Sequence, residues 1–179
     1  MKPKLLKAFR QDCDFAAKHL RLQGFVRMMF VIRGHDGQVI PIMVAGGEKA
    51  DAYRMVQLAA VAHDAEAVSC ISEAWTLPPE ATMPNVLPSE SERRIEVIAV
   101  QLVTLDEALG SMREILRDAA GRIAGLGPER MKPTMVPAPD FGGMMSKVVP
   151  SSRPSPEAQA EARALLEQFA DRLAGAERA

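Results

Sequence analysis

Two runs of alternating apolar residues around an Asp-Gly pair constrain the fold of this chain more than any other feature. The runs cover residues 25–33 and 39–44, and Asp36 and Gly37 lie between them. Alternation with a period of two is typical of half-buried strands, and glycine accepts the positive φ that tight hairpin turns need. The sequence therefore predicts an antiparallel hairpin. Pro41 lacks an amide donor, which predicts that the second strand lies at a sheet edge or bends there.

Two stretches with helical periodicity flank this hairpin. Residues 5–20 carry apolar side chains at three- and four-residue steps, and Gly24 follows, so the first helix is expected to end near Leu22. Residues 48–65 are rich in alanine and predict a second helix that lies close to a sheet. Further strands are predicted at residues 68–77 and 95–103. The latter strand is apolar on both faces, which is typical of a covered central strand.

The stretch between residues 105 and 126 fits two interpretations. A helix is favoured by Thr104 and Glu107, which match a capping box, and by a stripe of apolar residues at helical spacing. The stripe consists of Leu105, Leu109, Met112, Leu116, Ala119 and Ile123. The alternative is another hairpin with its turn at residues 118–121. Periodicity favours the helix.

The remaining residues predict an appendage to the domain. Residues 127–154 are rich in Pro, Gly and Met and predict an extended arm or linker. Ser155 is a good N-cap and Pro156 a good first helical residue, so residues 155–175 predict an amphipathic helix with Leu166 and Phe169 in its apolar stripe. The predicted domain covers residues 1–126.

The order α-β-β-α-β-β predicts the α+β class. We expect an antiparallel-rich sheet of four to five strands with the helices packed on one face. This order is similar to that of profilin-like and roadblock-like domains. The similarity concerns topology alone and implies no activity.

Composition indicates an ordinary globular chain. It has 179 residues, of which 47% are hydrophobic and 25% charged, with a net charge of −1. Cys13 and Cys70 are far apart, so neither a disulfide framework nor a zinc site is expected. No signal peptide and no transmembrane segment is recognisable. We therefore expect a cytoplasmic protein without a cofactor and without a membrane partner.

Charge is unevenly distributed along the chain. The first helix is basic, whereas a loop at residues 78–94 is acidic and proline-rich, which is typical of a functional or mobile segment. Non-specific nucleic-acid binding by the helix is one alternative function. A solvated helix face is the simpler interpretation, and basic residues without interleaved aromatic residues argue against a stacking platform. The basic residues concerned are Lys4, Lys7, Arg10, Lys18 and Arg21.

Glu73 and Trp75 are the strongest candidates for a functional site. They lie two positions apart on a predicted strand, so they share one face of it. The ordinary interpretation is a rim of packing around an indole whose N–H needs an acceptor. Tryptophan is also enriched at interface hot spots. We predict partner binding through Trp75 and Glu73, with Leu166 and Phe169 of the C-terminal helix as a second candidate surface.

Glu73 and Glu96 lie on strands that are expected to pair. If they face one way, they could bind a divalent ion or act as acid and base in a metal-dependent hydrolase or nuclease, with His35 as a further candidate. No motif completes such a set, and no catalytic or metal-ligating residue is predicted. The simpler interpretation is that these acids form ion pairs near the sheet end. The candidate arginine partners are Arg54, Arg93 and Arg94.

Two His-Asp pairs, His35-Asp36 and His63-Asp64, match the dipeptide of metal-dependent phosphohydrolases of the HD type. Those enzymes place the pair in a helical bundle, whereas here one pair lies in a hairpin turn. The other lies at a helix C-terminus, where a histidine suits the helix dipole. Local structure therefore explains both pairs.

Residues 72–75, Ser-Glu-Ala-Trp, are followed by Pro88 and Ser89 and then by Arg94, Glu96 and Val97. This succession resembles a loosely defined group of short bacterial and phage-type proteins, over residues 25–103. The resemblance implies a phage or prophage setting and supplies no catalytic residues. Together these observations predict a non-enzymatic interaction or regulatory module that binds a protein partner or self-assembles.

Overall fold

The computed structural model describes residues 1–44, 49–78, 90–135, 145 and 148–176. The helices and strands of this part of the chain are α1 (Pro3–Gln23), β1 (Met29–Gly34), β2 (Val39–Met43), α2 (Lys49–Ala62), β3 (Ala65–Thr76), β4 (Ile95–Val103), β5 (Glu107–Arg117), β6 (Ile123–Leu126), β7 (Arg130–Met135) and α3 (Pro156–Ala176).

The strands form one sheet in the order β2-β1-β3-β4-β5-β6, and β7 also pairs with β5. The predicted α+β class and the order α-β-β-α-β-β are confirmed. The described sheet has seven strands rather than four or five. The additional strands come from residues 107–135, for which a helix and an arm had been expected from periodicity and composition.

The chain divides into two compact units. Unit 1 comprises Met1–Met28, Cys70–Gln101 and Leu109–Pro133, and unit 2 comprises Met29–Ser69, Leu102–Ala108 and Thr134–Ala179. Strands β3, β4, β5 and β7 each contribute residues to both units. The sequence predicted one domain with an appendage, and it contains no composition shift at the points where these strands pass from one unit to the other.

Helix α1 gives unit 1 much of its core. Leu5, Phe9 and Leu20 are buried along one stripe, as the helical periodicity predicted. The helix ends at Gly24, which adopts φ 80° and donates its backbone N–H to the carbonyl of Leu20 at 2.8 Å. This left-handed residue costs little because glycine has no Cβ. The chain turns there toward Val26, which is also buried.

The predicted hairpin of β1 and β2 is confirmed. Gly37 donates its N–H to the carbonyl of Gly34 at 3.1 Å, and Gly34 donates its N–H to the carbonyl of Gln38 at 3.0 Å. With Gly37 at φ 88°, this is a type I turn followed by a glycine bulge. β2 is the terminal strand of the sheet order, which confirms the edge position predicted from Pro41.

The register of the hairpin fixes the direction in which Pro41 faces. Pro41 lies opposite Val31, and the hydrogen-bonded pair of Gly34 and Gln38 lies three pairs away. Because hydrogen-bonded and non-hydrogen-bonded pairs alternate in an antiparallel ladder, the pair of Pro41 and Val31 is non-hydrogen-bonded. The nitrogen of Pro41 therefore points away from β1, toward the open side of the edge, where a free donor would otherwise lie.

The helix that was favoured for residues 105–126 is wrong, and the hairpin alternative is confirmed. β5 and β6 are antiparallel, with Ile115 opposite Leu126. Asp118 makes the turn because its Oδ1 accepts the backbone N–H groups of Ala120 at 2.9 Å and Arg122 at 3.0 Å. Gly121 has φ 77°, so the turn also needs the left-handed conformation that glycine adopts readily.

Unit 2 is built around helix α2, which packs against β1 and α3. Tyr53 of α2 contacts Phe30 of β1 with ring centroids 5.3 Å apart. At the start of α3, Ser155 accepts the N–H of Ala158 at 3.2 Å, which confirms the predicted cap. Among the described residues, no helix is long and apolar enough to span a membrane.

Part of the predicted arm, residues 127–154, belongs to the sheet and to the core. β7 lies within residues 127–154, and Met145, Val148 and Val149 are buried. Residues 136–144 and 146–147 of that stretch lie outside the described residues. So do residues 79–89 of the acidic proline-rich loop and residues 45–48, which include Gly46 and Gly47.

Candidate functional site

Strand β3 changes character along its length. Every residue from Ala65 to Ile71 is buried, whereas the residues after Ile71 are partly exposed and Trp75 is 47% exposed. Glu73 and Trp75 are two positions apart and so lie on the same face of the strand. Exposure of the Trp75 indole to water is unfavourable in free energy, because tryptophan has a large apolar surface area.

Arg94 covers part of this indole. Its guanidinium carbon lies 4.7 Å from the centroid of the Trp75 ring, a cation–π distance. Arg94 immediately precedes β4, the neighbour of β3 in the sheet, and this position brings the two side chains together. A contact of this kind at an exposed site contributes about 0.5–1 kcal/mol. It places the ring and the guanidinium together at the surface.

Glu96 of β4 forms an ion pair with Arg117 of β5. The Nε and Nη2 atoms of Arg117 donate to the two carboxylate oxygens at 2.7 and 2.8 Å. Arg117 also donates to the carbonyl of Gly121 at 3.1 Å, so the β5–β6 turn holds the guanidinium in place. The hydrogen bond with Glu96 raises the pKa of Arg117 above its ordinary value, and the charges of Glu96 and Glu73 add to this effect.

Glu73 has a structural partner that the sequence did not suggest. Its Oε1 accepts the backbone N–H of Val26 at 2.5 Å, across 47 positions of the chain. This hydrogen bond connects β3 to the segment that follows the end of α1. Charge alone predicted an arginine as the partner of Glu73, with Arg54, Arg93 and Arg94 as candidates. A hydrogen bond to a backbone amide cannot be recognised from residue types.

We refer to Glu73, Trp75, Arg94, Glu96 and Arg117 as the Trp75 surface. All five residues belong to unit 1. Both oxygens of Glu96 already accept hydrogen bonds from Arg117, and one oxygen of Glu73 accepts one from Val26. The two acids are thus engaged in holding the backbone and the sheet end. What faces solvent is the stacked pair of Trp75 and Arg94.

No group of three or more His, Cys, Asp and Glu side chains is arranged to hold a metal ion within the described part of the chain. His35, which was a further candidate beside Glu73 and Glu96, belongs to unit 2, whereas the two glutamates belong to unit 1.

The two His-Asp pairs meet in unit 2, which their sequence separation did not predict. His35 donates its backbone N–H to the carbonyl of Asp64 at 3.0 Å. Asp64 adopts φ 47° just after α2 and accepts a hydrogen bond from Nε of Arg153 at 2.7 Å. We call His35, Asp36, His63, Asp64 and Arg153 the His-Asp junction. It joins the β1–β2 turn to the end of α2 and to the segment before α3.

The hydrogen bonds of this junction hold neighbouring elements of unit 2 together. Arg163 of α3 donates to the carbonyl of Ala62 at 3.0 Å, at the C-terminus of α2. Burial lowers the pKa of His63 and the charge of Arg163 lowers it further, while Asp36 opposes this shift. His63 is therefore neutral near physiological pH. Oδ1 of Asp64 is buried and has no hydrogen-bond partner among the described residues.

Leu166 and Phe169, the other predicted partner-binding residues, lie on α3. This helix packs against α2 of the same chain. Phe169 is buried and Leu166 is half-buried. The apolar stripe that the sequence identified thus contributes to the core of unit 2.

A polar cluster beside α1 combines Cys13 with Ser111 and Glu129. Ser111 is buried and donates its hydroxyl to Glu129 at 2.7 Å. Arg10 forms an ion pair with the same glutamate at 3.0 Å. Burial raises the pKa of the Cys13 thiol to about 11, an effect that the hydrogen bond with Ser111 opposes and the charge of Glu129 reinforces. At neutral pH the thiol is protonated and a poor nucleophile.

Comparisons with known proteins add no relative. No family model matches the chain, and neither a curated protein nor a solved structure matches it. The resemblance of residues 72–75 and 94–97 to short bacterial and phage-type proteins stays a prediction.

Proposed function

We propose that the chain is a non-enzymatic α+β interaction module that binds a protein partner or a second copy of itself through the Trp75 surface. The observation that carries this proposal is the exposed, stacked pair of Trp75 and Arg94 at the partly exposed end of β3. Tryptophan and arginine are the residues that most often dominate binding energy at protein interfaces.

The surroundings of the pair support the proposal. Glu96 is held by Arg117, and Glu73 is held by the backbone of Val26, so the surface is organised before a partner arrives. A preorganised surface loses less conformational entropy on binding than a mobile one. A partner that covers the indole would remove it from water and would desolvate the guanidinium above it, which strengthens the cation–π contact.

We further propose a cytoplasmic setting in a bacterial or prophage system. Two observations support this setting: neither Cys13 nor Cys70 forms a disulfide, and residues 72–75 and 94–97 resemble phage-type proteins.

The test uses Trp75 as its own reporter, since the chain has one tryptophan. Sedimentation of the purified chain over a wide concentration range measures self-association, and emission of Trp75 at the same concentrations reports whether the indole is covered. Chemical crosslinking in a bacterial lysate, read by quantitative mass spectrometry, identifies a different partner. Trp75→Ala is compared with Leu105→Ala, which removes another side chain of similar exposure.

We expect Trp75→Ala to weaken the association by about 2 kcal/mol or more, as for an interface hot spot, with little effect of Leu105→Ala. Removal of Arg94 should weaken it by a smaller amount. The proposal fails if the wild-type chain is monomeric throughout and no lysate protein depends on Trp75. It also fails if association survives Trp75→Ala unchanged.

A further inference from the structure

A second exposed surface lies at the C-terminal half of α1, and it consists of aromatic rings. Phe15 is 44% exposed and Phe25 is 42% exposed. The imidazole of His19 lies between them. Its ring is stacked on Phe15 with centroids 5.5 Å apart and an angle of 24°. It meets Phe25 edge to face at 6.5 Å and 90°. We call these three residues the ring platform.

The backbone explains how the rings come together. Phe15 and His19 are one helical turn apart, so they are neighbours on the surface of α1. The left-handed Gly24 then reverses the chain direction and brings Phe25 back to the helix. The hydrogen bond from Val26 to Glu73 holds the segment after the turn in place at 2.5 Å. The platform is therefore a built feature of unit 1 rather than a mobile tail.

Two cations lie beside the rings. The guanidinium of Arg27 lies 5.6 Å from the centroid of Phe25. Lys18 follows Phe15 by three positions on the helix, which makes the two side chains neighbours. Both basic residues are exposed. Residues 1–28 carry seven basic side chains against two acidic ones, Asp12 and Asp14, and Asp12 is buried.

We propose that the ring platform binds single-stranded nucleic acid. Bases stack on Phe15 and Phe25, because every base has a π-face that an exposed ring can cover. Phosphates bind Lys18 and Arg27, because a polyanion releases condensed counterions when cations neutralise it. This activity lies beyond the proposed protein-binding role and uses a different set of residues from the Trp75 surface.

The combination of rings and charge favours this occupant over the alternatives. An acidic polypeptide would use the cations but would leave both phenylalanine rings exposed. A membrane surface favours a broad apolar helix face, whereas the exposed residues of α1 around Phe15 include Gln11, Asp14 and Lys18. A strand of nucleotides satisfies the rings and the cations together, with a backbone charge for each base.

The sequence had suggested the opposite conclusion, because the basic residues lacked interleaved aromatic residues. Phe15 is separated from Lys18 by two positions, and Phe25 lies beyond the end of the helix. Neither looks interleaved in the linear sequence. The helical repeat and the turn at Gly24 create the platform in three dimensions, and a helical-wheel projection that continued past Gly24 would have missed Phe25.

Fluorescence anisotropy of a labelled oligothymidine of about twelve nucleotides, a length within the range of known single-strand sites, tests the proposal. The duplex of the same length, an oligoaspartate and vesicles containing an anionic lipid are the alternative ligands. The variants are Phe15→Ala with Phe25→Ala, and Lys18→Glu with Arg27→Glu. Leu105→Ala is the control for an exposed apolar side chain, and circular dichroism verifies that each variant folds.

We expect the full-length chain to bind the oligothymidine more tightly than the duplex. Each ring removed should weaken binding about fivefold or more, and Leu105→Ala should have no effect. With two phosphates neutralised, log Kd should rise with log salt concentration with a slope of about 1.4, and the double glutamate variant should lower that slope.

Three outcomes overturn the proposal. The first is no binding of the oligothymidine at low salt by a folded wild-type chain. The second is binding that the ring variant retains in full, which indicates attraction of a polyanion by charge alone. The third is preferential binding of the oligoaspartate or the vesicles in a manner that depends on the rings, which assigns the platform to another partner class. Because Trp75 is intact in every variant, these outcomes are independent of those for the Trp75 surface.

Discussion

At the scale of single residues, burial and hydrogen bonding decide the chemistry of Cys13. The thiol lies between α1 and β5, where burial disfavours the thiolate and raises the pKa from its ordinary value of 9.0 to about 11. The nearby carboxylates of Glu129 and Asp12 act in the same direction, whereas Ser111 and Arg10 oppose it. The nearby polar residues Ser111 and Glu129 do not make Cys13 reactive, because burial keeps its thiol protonated.

We therefore predict slow alkylation of Cys13. In a Cys70→Ala background, the rate of reaction with iodoacetamide should rise half-maximally near pH 11 rather than near pH 9. The raised pKa also has a consequence for stability. The protonated thiol stabilises the folded state fully below pH 9, and this stabilisation is lost as the pH rises through about 11.

The free energy of unfolding should accordingly decrease across that range in the Cys70→Ala protein, and Cys13→Ala should remove this part of the decrease. Urea denaturation at a series of pH values measures both. Rapid alkylation with a midpoint at or below pH 9 would contradict the predicted environment.

Gly34 is packed tightly against the His-Asp junction. A Cβ at this position would lie 2.6 Å from Oδ1 of Asp36 and 2.8 Å from the carbonyl oxygen of His63, which belongs to the backbone and cannot rotate away. We expect Gly34→Ala to lower the free energy of unfolding by about 1–3 kcal/mol, the cost of overpacking. Gly125→Ala is the matched control, since it meets no atom within 4 Å and should change stability by less than about 0.5 kcal/mol. Equal midpoints in urea for the two variants would show that the junction is not tightly packed.

At the scale of elements, β2 shows how a sheet edge is kept from pairing with another chain. The strand carries no charged side chain, and Val39 and Met43 are exposed. An apolar edge of this kind is a template for strand addition. Pro41 lies in the middle of the strand and directs its nitrogen outward, so the open edge lacks the central donor that a docking strand would need.

Replacement of Pro41 by valine should restore that donor and favour β structure. We expect Pro41→Val to self-associate at concentrations at which the wild-type chain does not change its state, as measured by sedimentation velocity and by binding of an amyloid-type dye. Addition of Val39→Lys should suppress the effect, because a charge on the edge opposes strand pairing. If Pro41→Val behaves like the wild type, some other feature protects this edge.

The same scale shows what could be predicted from the sequence. The β1–β2 hairpin, α1 and β4 follow from local periodicity and turn residues, and the structure confirms them. The structure of residues 105–126 does not follow from local periodicity. Thr104 and Glu107 fit a capping box, but they form the turn between β4 and β5. The Oγ1 of Thr104 accepts the N–H of Glu107 at 3.0 Å in that turn. Pairing with distant strands overrides a local helical pattern.

The candidate site was predicted in the same partial way. Alternation along β3 placed Glu73 and Trp75 on one face, and charge suggested Arg54, Arg93 and Arg94 as ion-pair partners of Glu73. The partner of Glu96, Arg117, was not predicted, because periodicity favoured a helix over the residues that form β5. The hydrogen bond from Val26 to Glu73 involves a backbone group and depends on the turn at Gly24. Contacts of this kind follow from the tertiary structure and have no signature in residue type.

At the scale of the whole molecule, the chain carries one reporter in each unit. Trp75, the single tryptophan, lies in unit 1. Tyr53, the single tyrosine, lies in unit 2, where it is buried against Phe30. Each fluorophore can therefore follow the unfolding of its own unit without an added label.

We predict that the two units unfold in one transition. β3, β4, β5 and β7 each contribute residues to both units, so four continuous strands would have to be partly paired and partly unpaired if one unit unfolded alone. The unpaired halves would expose backbone donors and acceptors that the rest of the strand holds in an extended conformation, which is unfavourable. Urea titrations followed by Trp75 emission and by Tyr53 absorbance should give the same midpoint and the same m-value within error. Two conventional domains joined by a linker would give separate midpoints, and Gly34→Ala would then shift the Tyr53 transition alone. A shift of both transitions by the same amount is the outcome that follows from shared strands.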